Sequence, residues 1–157
     1  MATHGCTVEW RRGDAAFTDL QYSRAHTWRF DGGAVVPGSS SPHSVRLPFS
    51  DPSAVDPEEA LVASVSSCHM LWFLSLAAAE GYVVDSYSDA AEAQMGPIGF
   101  GRQAITDIVL RPQVVFSGAR RPDQAGVDAL HHVAHERCYI ANSLRTAVRV
   151  EGGWRGA

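Results

Sequence analysis

Two cysteines far apart in the chain, Cys68 and Cys138, have the widest chemistry open to them. Such a pair can pack as two small hydrophobes, or it can cycle between dithiol and disulfide through a sulfenic acid. The nucleophile is the thiolate, and a thiol with an unperturbed pKa of about 8.5 is mostly protonated at neutral pH. Lowering that pKa by about two units takes roughly 2.7 kcal/mol of preferential thiolate stabilisation. Cys68 stands roughly three turns into its expected helix, too far for the N-terminal dipole to help, and apolar surroundings raise a thiol's pKa. A reactive Cys68 therefore needs a cation from elsewhere in the chain. An arginine is the cation expected there; the sequence contains no lysine.

The histidines form a second constellation. His131, His135 and Cys138 recur at i, i+4 and i+7, one face of a helix, with His132 adjacent. Two histidines at that spacing with a nearby cysteine can ligate zinc, with Cys68 or His69 as further ligands. The same pattern also suits a half-buried helix face whose imidazoles pack and hydrogen-bond. Neither Cys-x-x-Cys nor His-Glu-x-x-His accompanies it. Gly99 and Gly101 precede no helix and make no phosphate loop. Ser66 and Ser67 fit no nucleophile elbow. Helix capping alone explains Asp56, Glu58 and Glu59.

The element that must position Cys68 is a helix from Pro57 to about Glu80. Asp56 is a natural N-cap, Pro57 suits the first helical position, Glu59 completes a capping box, and Gly81 ends the run. From Ala60 to Ala79 there is no Asp, Glu, Lys or Arg. A helix apolar on nearly every face has to be buried, in a core or against a second subunit. Upstream, Thr7–Arg11 and Phe17–Tyr22 flank an Arg-Gly-Asp turn and read as a hairpin, followed by a strand over Arg24–Phe30. Residues 35–56, rich in Ser, Pro and Asp, read as an irregular loop. Downstream, Val83–Met95 reads as one long strand and 96–101 as a glycine-rich turn. Ile105–Phe116 alternates with Ile108, Leu110, Val114 and Phe116 on one face, and Pro112 bends it or marks an edge. A second helix spans Asp123 to about Glu136, with a short turn or helix over Ile140–Leu144 and a closing strand over Ala147–Val150. That order predicts a single α+β domain over residues 1–157, with antiparallel sheet and two core helices.

Bulk composition narrows the function classes. The chain has 157 residues and a formal net charge of −4, which gives no reason to expect nucleic acid or an anionic membrane as a partner. The N-terminal residues lack a basic-then-apolar signal pattern. The one long apolar run carries serines, a histidine and a capped start, which favours a central helix over a membrane span. Three cysteines are too few for a disulfide scaffold, so the expected setting is reducing and cytoplasmic.

Taken together, these motifs carry a resemblance. The run Asp56-Pro57-Glu58-Glu59-Ala60-Leu61-Val62-Ala63-Ser64-Val65-Ser66-Ser67-Cys68-His69-Met70 resembles the cysteine helix of the OsmC/Ohr family, the osmotically inducible and organic-hydroperoxide-resistance proteins. Ala134–Ser143 resembles the second-cysteine segment of an OsmC-like subgroup. Tyr22-Ser23-Arg24-Ala25-His26, ahead of Asp31-Gly32-Gly33, is similar to the family's arginine segment. The similarity runs from about residue 7 to residue 151.

The resemblance implies antiparallel sheets wrapped around two central helices in an intertwined homodimer. It implies a thiol-dependent peroxidase without a cofactor, acting on organic hydroperoxides and recycled by a lipoyl or small-thiol reductant. Cys68 would be the peroxidatic thiolate and Cys138 the resolving thiol, closing a Cys68–Cys138 disulfide. Arg24 would stabilise the thiolate, with Arg46, twelve residues before Glu58, as a second candidate. Glu58 would hold the arginine and help polarise the substrate. Glu58 and Cys68 are ten residues apart, about 15 Å along one helix axis, so they cannot share a site within one straight helix. Two copies of the helix crossing antiparallel would bring them together, making the active site shared between subunits. The other expected function is a zinc-binding or sensing protein of the same family that uses His131, His135 and a cysteine.

Overall fold

The helix that carries Cys68, α1, runs Pro57–Ala79, and its start is the expected capping box. The Glu59 amide donates to Asp56 Oδ1 at 2.8 Å, and the Asp56 amide donates back to Glu59 Oε2 at 3.2 Å. At the other end Gly81 takes a φ of +76°, and the Tyr82 amide reaches back to the Ala77 carbonyl at 2.9 Å. That left-handed turn is open to glycine at little cost, which is why the apolar run stops there.

The computed structural model describes residues 1–156. The chain divides into two compact units, Met1–Ala60 and Leu61–Ala157. The N-terminal unit holds one three-stranded antiparallel sheet of β1 (Cys6–Glu9), β2 (His26–Phe30) and β3 (Val35–Gly38), in that order. Its β1–β2 pairing sets Val8 opposite Trp28. The expected hairpin between Thr7–Arg11 and Phe17–Tyr22 does not form. β1 pairs with β2 instead, and residues 11–25 make a loop that turns at Phe17 (φ +76°) and Leu20 (φ +62°). Such backbone cannot continue a strand. The start of the expected loop after Val35 is strand β3, and the irregular segment begins only after Gly38.

The C-terminal unit contains two mixed three-stranded sheets. Their strands are β4 (Val83–Asp89), β5 (Glu92–Pro97), β6 (Gln103–Leu110), β7 (Pro112–Ser117), β8 (Ala147–Val150) and β9 (Gly153–Gly156). One sheet runs β4-β7-β9 and the other β5-β6-β8. The single strands expected over Val83–Met95 and Ile105–Phe116 are each broken in two. A long hairpin with its tip at 98–102 passes from one sheet to the other, β4 pairing with β7 and β5 with β6. At the break, Asp89 Oδ1 accepts the Arg111 amide at 2.6 Å, occupying a donor that leaves the ladder. The sheets are mixed rather than purely antiparallel, because β8 lies parallel to β6 and β9 parallel to β7. The helices α2 (Gln124–Arg137) and α3 (Tyr139–Asn142) come between β7 and β8. Asp123 caps α2, its side chain accepting the Gly126 amide at 2.8 Å.

Burial on α1 follows one stripe: Val65, His69, Phe73 and Ala77. Phe73 packs in a cluster with Val114, Phe116, Val127, Leu130 and Ala134, so α1, α2 and β7 share a core. Val65 joins Ile108 and Leu110 in a second cluster. The expected buried face of Ile108, Leu110, Val114 and Phe116 is present. The remaining faces of α1 are apolar yet open, with Leu71 62% exposed. By length and composition α1 could cross a membrane, at 23 residues and mean hydropathy 1.6, but its buried stripe belongs to the core of the protein itself.

Candidate active site

Cys138 is placed where two short-range structures meet: it is the C-cap of α2 and the N-cap of α3. Its sulfur accepts the Ala141 amide at 3.4 Å and donates to the Val65 carbonyl of α1 at 3.9 Å. It is fully buried, whereas Cys68, three residues beyond Val65, is half-buried. The Cys138 thiol is pushed up to about 11, chiefly by burial and also by the neighbouring Cys68 thiol, with the Ala141 amide partly offsetting them. The two thiols, both reduced, are therefore neighbours, with Cys138 held protonated.

Of the two uses its spacing allowed, the histidine stripe of α2 shows the second, an imidazole that packs and hydrogen-bonds. His69, next to Cys68, faces His131 with Nε2 and Nδ1 3.0 Å apart and the rings near parallel at 12°. Phe73 also packs against His131, centroid to centroid 4.4 Å. Burial drives both imidazoles down to about 4, so they are neutral at physiological pH. One ring nitrogen of each, His69 Nδ1 and His131 Nε2, is buried without a partner, as is Nδ1 of His135. Among the described residues no group of three His, Cys, Asp or Glu side chains could hold a metal ion. His132 is exposed and pairs with Glu136 at 3.3 Å. Sequence reasoning joined His69 to His131 only as possible zinc ligands and missed their pairing with each other; a histidine on each apolar helix face was the signal available.

Arg24 and Glu58 are brought together in the N-terminal unit. Both line an open cavity of about 510 Å³ whose walls include Trp10, Phe17, Tyr22 and His26. The Arg24 guanidinium lies 3.8 Å above the centre of the Tyr22 ring. Its Nη1 donates to the carbonyls of Leu20, at 2.9 Å, and Tyr22, while the Arg24 amide donates to Phe49 O at 2.8 Å. His26 is tied to the same residue, its Nδ1 lying 2.7 Å from the Arg24 carbonyl. Among the described residues neither Arg24 nor Glu58 forms an ion pair. Arg46 is exposed, stacks loosely on Phe49 at 5.6 Å and does not line this cavity. Chemically, the cavity offers a fixed cation, an unpaired carboxylate and aromatic walls. No sequence signal singled out the aromatic walls, because Trp10, Phe17 and Tyr22 follow no period.

A model of the family described as OsmC-like protein matches residues 50–152. Among solved structures, an OsmC-like protein of unknown function from Vibrio cholerae is 53% identical, with a TM-score of 0.94 over 97% of this chain and 99% of that one. An organic hydroperoxide resistance protein from Legionella pneumophila is 16% identical, with a TM-score of 0.65 over 98% and 97%. The organic hydroperoxide resistance protein OhrB of Bacillus subtilis is 17% identical, with a TM-score of 0.66 over 98% of each chain. These last two share the fold. No curated protein matches.

Proposed function

Because the chain belongs to the OsmC-like protein family, we propose that it is a thiol-dependent peroxidase that reduces organic hydroperoxides. The observation that carries this reading is the placement of the buried Cys138 thiol against the Val65 carbonyl of α1, three residues before the half-buried free thiol of Cys68. The names of the Legionella and Bacillus relatives point to the same substrate class.

In the first step the Cys68 thiolate attacks the distal oxygen of the hydroperoxide. The O–O bond breaks, Cys68 becomes a sulfenic acid, and the alkoxide takes a proton and leaves as the alcohol. In the second step the Cys138 sulfur attacks Cys68. It loses its proton, the sulfenic hydroxyl departs as water, and a Cys68–Cys138 disulfide forms. A lipoyl or other small dithiol then reduces the disulfide and is itself oxidised. The division of labour follows the thiols' surroundings: the half-buried sulfur meets the peroxide, and the buried one meets only the sulfenic acid.

Arg24 is the cation that stabilises the thiolate and orients the peroxide, and Glu58, on the same cavity wall but not ion-paired with Arg24, is the acid that polarises the substrate. The Leu20 and Tyr22 carbonyls tether one guanidinium nitrogen of Arg24, which leaves its other donors for a ligand. Glu58 lies ten residues ahead of Cys68 on the unbroken helix α1. A homodimer in which the open apolar faces of α1 pair across subunits answers that separation. Each subunit then lends a carboxylate to the other's thiol. Three free cysteines suit a cytoplasmic, reducing setting.

The test is peroxide consumption with a dithiol reductant. Cys68→Ser should reduce it to the background rate of the reductant alone, while Cys6→Ser leaves it unchanged. Full turnover by the Cys68→Ser protein would end this reading.

A further inference from the structure

We propose that the cavity of the N-terminal unit is an aryl-binding site, and that Trp10, Phe17 and Tyr22 make the protein select hydroperoxides carrying an aromatic ring. That the ligand is a hydroperoxide rests on the function proposed above; that it carries an aryl group rests on this cavity alone. The three rings form a continuous cluster, with centroids 5.8 Å apart for Trp10 and Phe17, 5.4 Å for Trp10 and Tyr22, and 4.7 Å for Phe17 and Tyr22. Interplanar angles run from 31° to 66°, so the rings are inclined to one another rather than stacked. An aryl group can meet these edge-to-face or offset, geometry that a saturated chain of the same size cannot use. The volume, about 510 Å³, lies within the usual range for small-molecule sites.

One observation besides the ring geometry points to a ligand: Phe17 and Trp10 remain 43% and 38% exposed around this opening, although both are large and apolar. With Arg24 and Glu58 on the same wall, the cavity pairs one aromatic region with a polar region able to donate and to accept. Phe17 holds its ring there from a φ of +76°, a conformation that bulky residues avoid, so its position is imposed by its surroundings.

The experiment uses the full chain and a ligand that cannot turn over. Cys68→Ser protein is titrated with dimethylphenylmethanol, the alcohol left by cumene hydroperoxide, and with its cyclohexyl counterpart, following tryptophan fluorescence against a Trp10→Phe control. The phenyl alcohol should bind saturably and at least about threefold more tightly than the cyclohexyl one. Phe17→Gly removes a ring while relieving the left-handed strain, so its thermal midpoint should hold or rise as phenyl-alcohol affinity falls about tenfold. Equal affinity for the two alcohols, or an unchanged affinity in Phe17→Gly, overturns the proposal. So does a Phe17→Gly variant that changes only oligomeric state, which would assign the rings to a second copy of the chain. Alcohol binding does not depend on turnover: if wild-type protein consumes no peroxide yet binds the phenyl alcohol selectively, the peroxidase reading fails and the aryl site stands.

Discussion

The N-terminal and C-terminal units surround their candidate site residues in opposite ways. Around Cys138 and the His69–His131 pair the C-terminal unit is packed, and the two imidazoles are neutral, with His69 Nδ1 and His131 Nε2 buried and unpaired. Around Arg24 and Glu58 the N-terminal unit is open, and the same cavity wall carries two groups of opposite charge that do not pair. Burial keeps a thiol protonated and an imidazole neutral, which suits a sulfur that must wait for a sulfenic acid. Openness keeps a cation and a carboxylate hydrated and available, which suits recognition of a polar ligand. The contrast teaches that the chemistry and the binding draw on different environments, so they should fail under different perturbations.

Acid should separate the two most strongly. His69 and His131 titrate near 6.5 in the unfolded chain and near 4 in the fold, so between those values unfolding takes up protons. Their contribution is complete above about pH 6.5 and is lost as pH falls toward 4, on the order of 3 kcal/mol per ring as an upper figure for a coupled pair. Asp128 and Asp89 act against the shift on His131 and soften the loss. Urea titrations from pH 7 to 4 should show the C-terminal unit, followed through Trp154, losing stability over that window. His131→Asn, which cannot be protonated, should flatten the dependence. An equally steep profile in that variant would remove the histidine pair as the cause.

A smaller effect is expected in the other unit. A Cβ at Gly38 would stand 2.5 Å from His26 Nε2 and 2.9 Å from Trp28 Nε1. Gly38→Ala should therefore displace His26, which is tied to the Arg24 carbonyl, at a cost of about 1–3 kcal/mol. The accompanying loss should be in KM for the hydroperoxide, with the oxidation of Cys138 intact. Smallest is the cap of α1. Asp56→Ala removes one half of the reciprocal bond with Glu59 and should cost about 1 kcal/mol, read as a lower thermal midpoint.

What the sequence disclosed followed from how local each determinant is. The limits of α1 were legible because capping and a glycine stop act within one turn, and Asp56, Glu59 and Gly81 carry them alone. The buried alternation of Ile108, Leu110, Val114 and Phe116 was legible for the same reason. The interruption of Ile105–Phe116 was signalled by Pro112, but the contact that closes it was not, because Asp89 accepts the amide of Arg111, 22 residues away. Nor was the parallel placement of β8 and β9, which only non-local pairing decides. At the site, Cys68 and Cys138 could be matched from their motifs. The aromatic cluster could not, since Phe17 and Tyr22 read as strand residues and their rings meet only because the loop turns at Phe17 and Leu20.

The central claim is that Cys68 and Cys138 form one redox couple, and the direct measurement is intact-mass spectrometry of protein treated with one equivalent of cumene hydroperoxide. The account predicts the loss of two hydrogens per chain, a single disulfide mapping to Cys68 and Cys138, and full reversal by dihydrolipoamide. Oxygen addition confined to Cys68 in the wild-type protein, with Cys138 still alkylatable after unfolding, would contradict it.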